Sequence, residues 1–246
     1  MNAPQVVAHR GSSADHPENS WAAFEAAVVD GADAIECDVQ GTRDNVLVIR
    51  HDLHIGTRPV ATLTYAEIGT LEPGPVLLAD LLKWASRAEI DLLVEVKDPD
   101  LAIPIGAMVA ASSWRKRTVI GSFHGPALAA LTTHVPGVKT SLMIGAVITP
   151  DDLVRLATDY RADGVHLCWE ARSPYPHRLL DAAAIQRLRR AGLAITLWHE
   201  ERETELKALV ALGPDAICTN VPALLRRIVD AHANMAVSDA SAMNSV

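Results

Sequence analysis

The sequence predicts a closed (β/α)8 TIM barrel, an α/β fold in which eight parallel strands form the inner wall and helices surround it. Eight short runs rich in Val, Ile and Leu alternate with eight helical patterns over about 230 of the 246 residues. The runs are mostly apolar on both faces, as expected of parallel strands that lie beneath helices. A doubly wound open sheet is the structural alternative, but no G-x-G-x-x-G follows a strand to support it.

Each repeat begins with a strand-like run and continues into a segment with helical periodicity. The turns between them carry Gly, Asp and Pro, as in GAD at 31–33, ADG at 162–164 and GPD at 213–215. The predicted strands lie at 6–9, 34–39, 92–96, 119–123, 140–145, 164–168, 194–198 and 216–219. The predicted helices lie at 20–30, 79–88, 101–113, 127–134, 151–160, 179–191, 203–212 and 223–232.

One irregularity follows the second strand. The segment GTRDNVLVIRHD at 41–52 has the pattern of a turn and a small extra β-hairpin strand at 46–50. The last residues, 233–246, are small and polar and show no periodicity. We therefore expect a single barrel domain over residues 1–232 and a disordered tail over residues 233–246.

Composition limits the class of protein. The formal net charge of −8 argues against a general nucleic-acid binder, although it does not exclude an anionic substrate. No apolar run reaches the roughly 18 residues of a membrane span, and the N-terminus lacks the regions of a signal peptide. Cys37, Cys168 and Cys218 lie in strand-like runs without a C-x-x-C motif, which favours buried thiols over metal ligands. These features predict a cytoplasmic protein.

Polar and charged side chains collect at the carboxyl ends of the predicted strands, where barrel enzymes carry their chemistry. Glu36 and Asp38 are two residues apart, so both side chains lie on one face of the second strand. Glu95 and Lys97 have the same spacing at the end of the third strand. The whole set comprises His9, Arg10, Glu36, Asp38, His51, Asp52, Glu95, Lys97, Ser122, His124, His166, Trp169, Trp198 and His199.

Three of these residues, Glu36, Asp38 and Glu95, would converge in a closed barrel. Carboxylates that lie close together repel one another unless they are protonated or neutralised. A hard divalent cation would neutralise them, and ligands that are all oxygen suit Mg²⁺ or Ca²⁺ better than zinc. A structural role in ion pairs or at a solvated strand end is the alternative, and the residues alone leave both interpretations open.

The ordered motifs resemble those of the glycerophosphodiester phosphodiesterase family over about residues 6 to 225. They are HRG at 9–11, PENS at 17–20, Phe24, GAD at 31–33, ECDV at 36–39, TRD at 42–44, HD at 51–52, VEVK at 94–97, SFH at 122–124, Trp198 and PDAICTNVP at 214–222. No single motif is decisive, but their order and spacing together are highly specific. The resemblance implies a barrel that uses a divalent metal to hydrolyse glycerophosphodiesters to glycerol phosphate and an alcohol.

Carried over position by position, the resemblance also implies roles for eight residues. It implies metal binding by Glu36, Asp38 and Glu95, acid–base catalysis by His9 and His51, phosphate or substrate binding by Arg10 and Lys97, and an aromatic wall at the glycerol end by Trp198. Two imidazoles on opposite sides of phosphorus could serve as base and acid. The sequence leaves open which histidine does which, whether water or a substrate hydroxyl attacks first, the choice of Mg²⁺ or Ca²⁺, the head group and the oligomeric state.

Several departures from the family pattern concern specificity. PENS replaces the more usual PENT, the segment 53–78 is short, and His199 and Glu200 follow Trp198 where Thr and an apolar residue are common. A lysophospholipase D or sphingomyelinase D-like enzyme on the same barrel is an alternative, which would have to accommodate an acyl chain, whereas the short segment 53–78, with no evident apolar lid, favours small water-soluble diesters. Two further alternatives are a Schiff-base enzyme that uses Lys97 as nucleophile and a catalytically silent barrel that binds a phosphorylated ligand.

Overall fold

The computed structural model describes residues 3–72, 74–169 and 172–243, with side chains described up to residue 235. The strands, in chain order, are β1 Gln5–His9, β2 Ala34–Gly41, β3 Leu47–Ile49, β4 His54–Ile55, β5 Arg58–Pro59, β6 Asp91–Val96, β7 Thr118–Ser122, β8 Lys139–Ile144, β9 Gly164–Cys168, β10 Ala194–Trp198 and β11 Ala216–Thr219. The α-helices are α1 Trp21–Val29, α2 Tyr65–Leu71, α3 Leu78–Ala88, α4 Ala102–Ala111, α5 Gly125–His134, α6 Pro150–Asp159, α7 Ala182–Arg190, α8 Glu203–Leu212 and α9 Pro222–Met243.

Eight parallel strands close into a barrel, which confirms the predicted fold. The order β1-β11-β10-β9-β8-β7-β6-β2 returns to β1, because β1 also pairs with β2 through Val7 opposite Ala34. Strand β3 lies outside this ring and pairs antiparallel with β2, with Val39 opposite Ile49. The extra hairpin strand expected after the second strand is therefore present.

Strand β2 shows how alternation separates the core from the site. Ile35, Cys37 and Val39 are buried in the apolar cluster formed with the surrounding helices. Glu36 and Asp38 lie on the opposite face, as the two-residue period of a strand requires. Cys168 and Cys218 are also buried, in agreement with the expectation from the sequence.

The amino ends of the strands carry a regular arrangement of aspartates, here called the amino-end rim (Asp33, Asp163 and Asp215). Each aspartate donates its backbone N–H to the carbonyl of one residue in the preceding barrel strand. Its side-chain Oδ2 in turn accepts the backbone N–H of that strand residue. The pairs, with the two distances in that order, are Asp33 with Val6 (2.8 and 2.8 Å), Asp163 with Thr140 (3.0 and 2.8 Å) and Asp215 with Ile195 (2.9 and 2.9 Å). The turn motifs GAD, ADG and GPD thus link neighbouring strands.

The structure adds elements between β3 and α3, where the sequence analysis assigned none. The short hairpin β4–β5 and helix α2 pack over a small apolar cluster that contains Leu63 and Ile68. Helix α2 begins with a capping box in which Thr64 and Glu67 satisfy each other's backbone N–H groups.

The last helix, α9, continues past the predicted end at residue 232 and covers most of the segment that we predicted as a tail. Residues 244–246 lie outside the described residues, and the domain boundaries stay a prediction. Within the part of the chain that the structure describes, no helix combines the length and apolar character needed to cross a membrane.

Candidate active site

Three buried carboxylates meet at the carboxyl ends of β2 and β6, and we call Glu36, Asp38 and Glu95 the carboxyl-end rim. One oxygen from each lies within 4.8 Å of the others, so the three residues could hold a metal ion. The parallel pairing of the two strands explains this convergence, because Asp38 lies directly opposite Glu95. The three residues predicted to bind metal are therefore brought together.

Two basic side chains partly neutralise this cluster. Lys97 Nζ lies 2.8 Å from Asp38 Oδ1 and 2.7 Å from Glu95 Oε1, and Arg10 Nε lies 3.1 Å from Asp38 Oδ2. Burial tends to lower the pKa of Lys97, but the charges of Asp38 and Glu95 outweigh it and raise that pKa. Lys97 is therefore protonated, which argues against the Schiff-base alternative, since that chemistry needs a neutral amine.

The donor set fits a hard divalent cation. Burial and the charges of Asp38 and Glu95 raise the pKa of Glu36 well above its usual value, an effect that a bound cation would oppose. Burial also raises the pKa of Glu95. The pKa of Asp38 is lowered, because Lys97 and Arg10 more than offset its burial. The negative charge of the three carboxylates exceeds the positive charge of Arg10 and Lys97. A divalent cation would balance it, and ligands that are all oxygen suit Mg²⁺ or Ca²⁺.

An unusual turn places Arg10 beside the carboxylates. Arg10 and Gly11 both have left-handed backbone angles, with φ of 57° and 85°. A Cβ on Gly11 would lie 2.6 Å from the backbone of Ala23, so only glycine fits this close approach to α1. The Arg10 N–H donates to the Glu36 carbonyl at 3.0 Å and to Glu36 Oε2 at 3.2 Å, which fixes the turn against β2.

His9, at the end of β1, is buried next to the carboxyl-end rim. Its Nε2 lies 3.9 Å from Glu36 Oε2, and its Nδ1 lies 2.6 Å from Asn220 Oδ1. The ring stacks on His199 with centroids 4.8 Å apart and planes 18° apart. Burial, together with the charges of Arg10 and His199, lowers the pKa of His9 to about 3, so its ring is neutral at pH 7.

His51 approaches the site from the loop after β3. Its side chain is 38% exposed, and its Nδ1 lies 3.0 Å from Asp52 Oδ1. His51 and Lys97 line the same open cavity of about 690 Å³. Gln40 secures the loop, because its Nε2 donates toward the carbonyls of Arg50, His51 and Asp52 at 3.2, 3.0 and 2.7 Å.

Trp198, at the end of β10, stands beside His9 with ring centroids 5.1 Å apart in an edge-to-face arrangement. It also contacts His199, His166 and Phe123, with centroids 5.6, 5.9 and 6.5 Å away. The indole is thus in the predicted place at the mouth of the barrel. It belongs to an aromatic cluster rather than standing alone.

Several side chains that position this site carry no sequence pattern that assigned them a role. Asn19, in the PENS motif, donates from Nδ2 to Asp38 Oδ2 at 2.8 Å and has a left-handed φ of 56°. Asn220 follows the last strand, and Gln40 follows Asp38 on β2. Asn19 and Asn220 stand inside the PENS and PDAICTNVP motifs, and Gln40 directly follows ECDV. A polar amide immediately after a predicted strand was the signal that could have identified Gln40 and Asn220.

Comparison with known proteins gives a consistent result. The model of the glycerophosphoryl diester phosphodiesterase family matches residues 9–224. A probable glycerophosphodiester phosphodiesterase 1 of Mycobacterium tuberculosis is 30% identical, with 89% of this chain and 90% of the relative covered. A putative glycerophosphodiester phosphodiesterase of Bacillus subtilis is 28% identical, with 88% and 94% covered.

Solved structures match the whole barrel. A glycerophosphodiester phosphodiesterase from Parabacteroides distasonis superposes with a TM-score of 0.79 at 23% identity and covers 95% of this chain and 99% of its own. An Oleispira antarctica phosphodiesterase, solved in complex with the product sn-glycerol-3-phosphate, gives a TM-score of 0.77 at 20% identity and covers 93% and 97%. At these identities the structural likeness establishes the fold.

Proposed function

This chain belongs to the glycerophosphoryl diester phosphodiesterase family, and we propose that it hydrolyses glycerophosphodiesters to glycerol phosphate and an alcohol with the help of a divalent cation. The observation that carries the proposal is the convergence of three buried carboxylates, held by Arg10 and Lys97, directly beside His9. A pure phosphate-binding protein has no need of such a carboxylate cluster. The substrate is a small molecule, and a cytoplasmic location and the absence of a nucleic-acid partner stay predictions from the sequence.

Glu36, Asp38 and Glu95 would hold the cation, and Mg²⁺ or Ca²⁺ is the choice that their oxygens favour. When bound, the cation supplies Lewis-acid polarisation of the phosphoryl oxygens. Arg10 and Lys97 add positive charge at the place where the transition state gathers negative charge. Their ion pairs with Asp38 fix both groups before substrate arrives, so little reorganisation is needed during reaction.

His9 and His51 serve as the acid–base pair in this proposal. One imidazole takes the proton from the attacking hydroxyl, and the other protonates the departing alkoxide. His9 is anchored on a strand and buried, whereas His51 is on a loop and open to the cavity. Their attachment to different elements, β1 and the β3 loop, allows them to approach phosphorus from different sides.

A second candidate substrate class is lysophospholipids. Three apolar side chains, Phe123, Val147 and Tyr175, are 45%, 48% and 48% exposed in segments that follow the carboxyl ends of β7, β8 and β9. Phe123 also neighbours Trp198. Such side chains could contact an acyl chain, which favours testing a lysophospholipid beside a water-soluble diester.

The test is a matrix of substrates and metals on the purified protein. We expect hydrolysis of glycerophosphocholine with Mg²⁺ or Ca²⁺, loss of activity in EDTA and recovery when metal is restored. Glu95→Gln should weaken metal binding measured by calorimetry, whereas Asp91→Asn, at the opposite end of the same strand, should not. Full activity in metal-free buffer would contradict the metal requirement, and preference for lysophosphatidylcholine would favour the second substrate class.

A further inference from the structure

A hydrogen-bonded chain leads from the surface to the buried ring of His9. Glu201, in the loop after β10, accepts a hydrogen bond at Oε1 from Asn220 Nδ2. Asn220 Oδ1 in turn faces His9 Nδ1 at 2.6 Å. The Glu201 side chain is 47% exposed, whereas His9 is buried. The outer end of the chain is therefore accessible, and its inner end is in the site.

The Glu201 carboxylate determines the direction of each hydrogen bond between Glu201, Asn220 and His9. An ionised carboxylate only accepts, so the Asn220 amide must turn its NH₂ toward Glu201 and its oxygen toward His9. An amide oxygen also only accepts, so His9 Nδ1 must be the donor. In a neutral ring Nε2 is then the nitrogen with the lone pair, and it faces the carboxyl-end rim at Glu36.

We propose that Glu201 is a positioning residue that acts through Asn220 to set the tautomer of His9. The inference rests on the proposed function, because it assigns His9 a proton-transfer role. Two residues, Ser13 and His199, hold the arrangement in place. Ser13 Oγ lies 2.9 Å from Asn220 Oδ1 and 2.7 Å from the His9 carbonyl, and His199 stacks on His9 while its Nε2 lies 3.8 Å from Glu201 Oε1.

Reversing the donor at the outer end should reverse the tautomer. In Glu201→Lys the side chain can only donate, so Asn220 turns its oxygen outward and its NH₂ toward His9 Nδ1. Nδ1 then becomes the acceptor, and the proton moves to Nε2. A wrong tautomer of a catalytic histidine can cost up to about 10⁴ in kcat. We expect Glu201→Lys to lower kcat by about 100-fold, and Glu201→Gln, which keeps an acceptor, by no more than about threefold.

A second substitution should rescue the first. In the double variant Glu201→Lys with Asn220→Asp, the new carboxylate accepts from both Lys and His9 Nδ1, which restores the native tautomer. We expect kcat to recover at least tenfold over Glu201→Lys alone. Glu203→Lys is the matched control, since it makes the same charge change two residues away, where Glu203 pairs only with Lys207 among the interactions described.

This design separates tautomer control from a simple charge effect. A lysine near the site attracts an anionic diester, so electrostatics alone would raise kcat/KM in Glu201→Lys and Glu203→Lys alike. Comparable kcat in these two variants, or failure of Asn220→Asp to rescue, would overturn the proposal. Thermal melts check folding, and if Glu201→Lys does not fold, unchanged kcat in Glu201→Ala is the overturning result.

A readout without substrate keeps this test apart from that of the proposed function. Nitrogen-15 NMR of histidine-labelled, metal-free protein distinguishes N–H from lone-pair nitrogens, with the His9 signals identified by their loss in His9→Gln. We expect a protonated Nδ1 in the wild type and in the double variant, and a protonated Nε2 in Glu201→Lys. The same tautomer in all three proteins refutes the inference, whereas wild-type protein with the expected tautomer but no diesterase activity refutes only the proposed function.

Discussion

Carboxylates stand at both ends of this barrel, and their surroundings differ. At the amino-end rim, each of Asp33, Asp163 and Asp215 accepts a backbone N–H from the neighbouring strand. At the carboxyl-end rim, three carboxylates lie together beside Arg10 and Lys97, and burial raises the pKa of two of the three, Glu36 and Glu95. One rim therefore stabilises the fold, whereas the other carries unfavourable electrostatics that a cation would relieve.

The difference indicates how function is separated from stability in this protein. The backbone N–H groups that donate to a carboxylate of the amino-end rim have their hydrogen bonds satisfied without any ligand. The buried carboxylates of the carboxyl-end rim repel one another and stay together only because the surrounding barrel holds them. Such unfavourable electrostatics are common at functional sites. Substitutions near the carboxyl-end rim should therefore change kcat more than the free energy of unfolding. Substitutions at the amino-end rim should change the free energy of unfolding more than kcat.

The largest effect is expected for the two histidines at the top. His9→Ala and His51→Ala should each lower kcat by roughly 10²–10⁴, or about 3–5 kcal/mol in the barrier. The p-nitrophenyl leaving group departs without protonation, so whichever variant lacks the acid should recover much of its loss with that substrate. His134→Ala, an exposed ring at the end of α5, is the control. Equal losses with good and poor leaving groups would contradict the division into acid and base.

His166, in the middle of β9 between the two rims, should make the stability of the fold depend on pH. Burial lowers its pKa to about 3 from an ordinary 6.5. The unfolded chain then binds the extra proton between about pH 6.5 and 3, so stability is complete above pH 6.5 and falls as pH drops through this window. We expect up to about 5 kcal/mol of acid destabilisation across the whole window. Urea unfolding at pH 7 and pH 4 should show a smaller difference in His166→Phe, and an identical difference would contradict the assignment.

A smaller, purely structural effect is expected at the amino-end rim. Asp163→Ala leaves the buried Thr140 N–H without its side-chain acceptor and should cost about 1–3 kcal/mol of unfolding free energy, with kcat unchanged. Asp163→Asn keeps an acceptor and should lose less. Asp159→Ala, an exposed aspartate on α6, serves as the control in chemical denaturation. A loss of kcat without a loss of stability would reverse the comparison between the rims.

The sequence predicted the barrel because its evidence is local and repeated. Eight apolar runs fix the strands, and the two-residue spacing in Glu36 and Asp38 fixes their shared face. The elements between residues 53 and 78 were missed, since β4 and β5 are two residues each and have no periodicity to detect. Helix α9 was ended too early, at residue 232, because the segment beyond it shows no apolar periodicity, although it is rich in Ala and Met, which favour helices.

Within the site, the sequence could identify charged residues but not the direction of their contacts. Arg10 and Lys97 were expected at the phosphate, and both are found paired with Asp38. The link between Asn220 and His9 spans 211 positions along the chain, so only the closed barrel brings it about. Local patterns therefore indicate which chemistry is present, whereas tautomers and ion pairs depend on contacts distant in sequence.

The smallest expected effect concerns Trp198, which stands at the top rim but contacts four other rings. An indole face can cover the carbon edge of glycerol and leave its hydroxyls to polar partners. Trp198→Ala should therefore lower kcat/KM for glycerol-bearing diesters by roughly tenfold, about 1.4 kcal/mol. Bis-p-nitrophenyl phosphate has no glycerol and should be affected much less, with metal affinity unchanged. Trp198→Phe retains an aromatic face and should keep most of the discrimination. Equal losses on both substrates with a lower Tm would show that the indole mainly packs against its neighbours, and Trp198 would then belong with the stabilising residues of the fold.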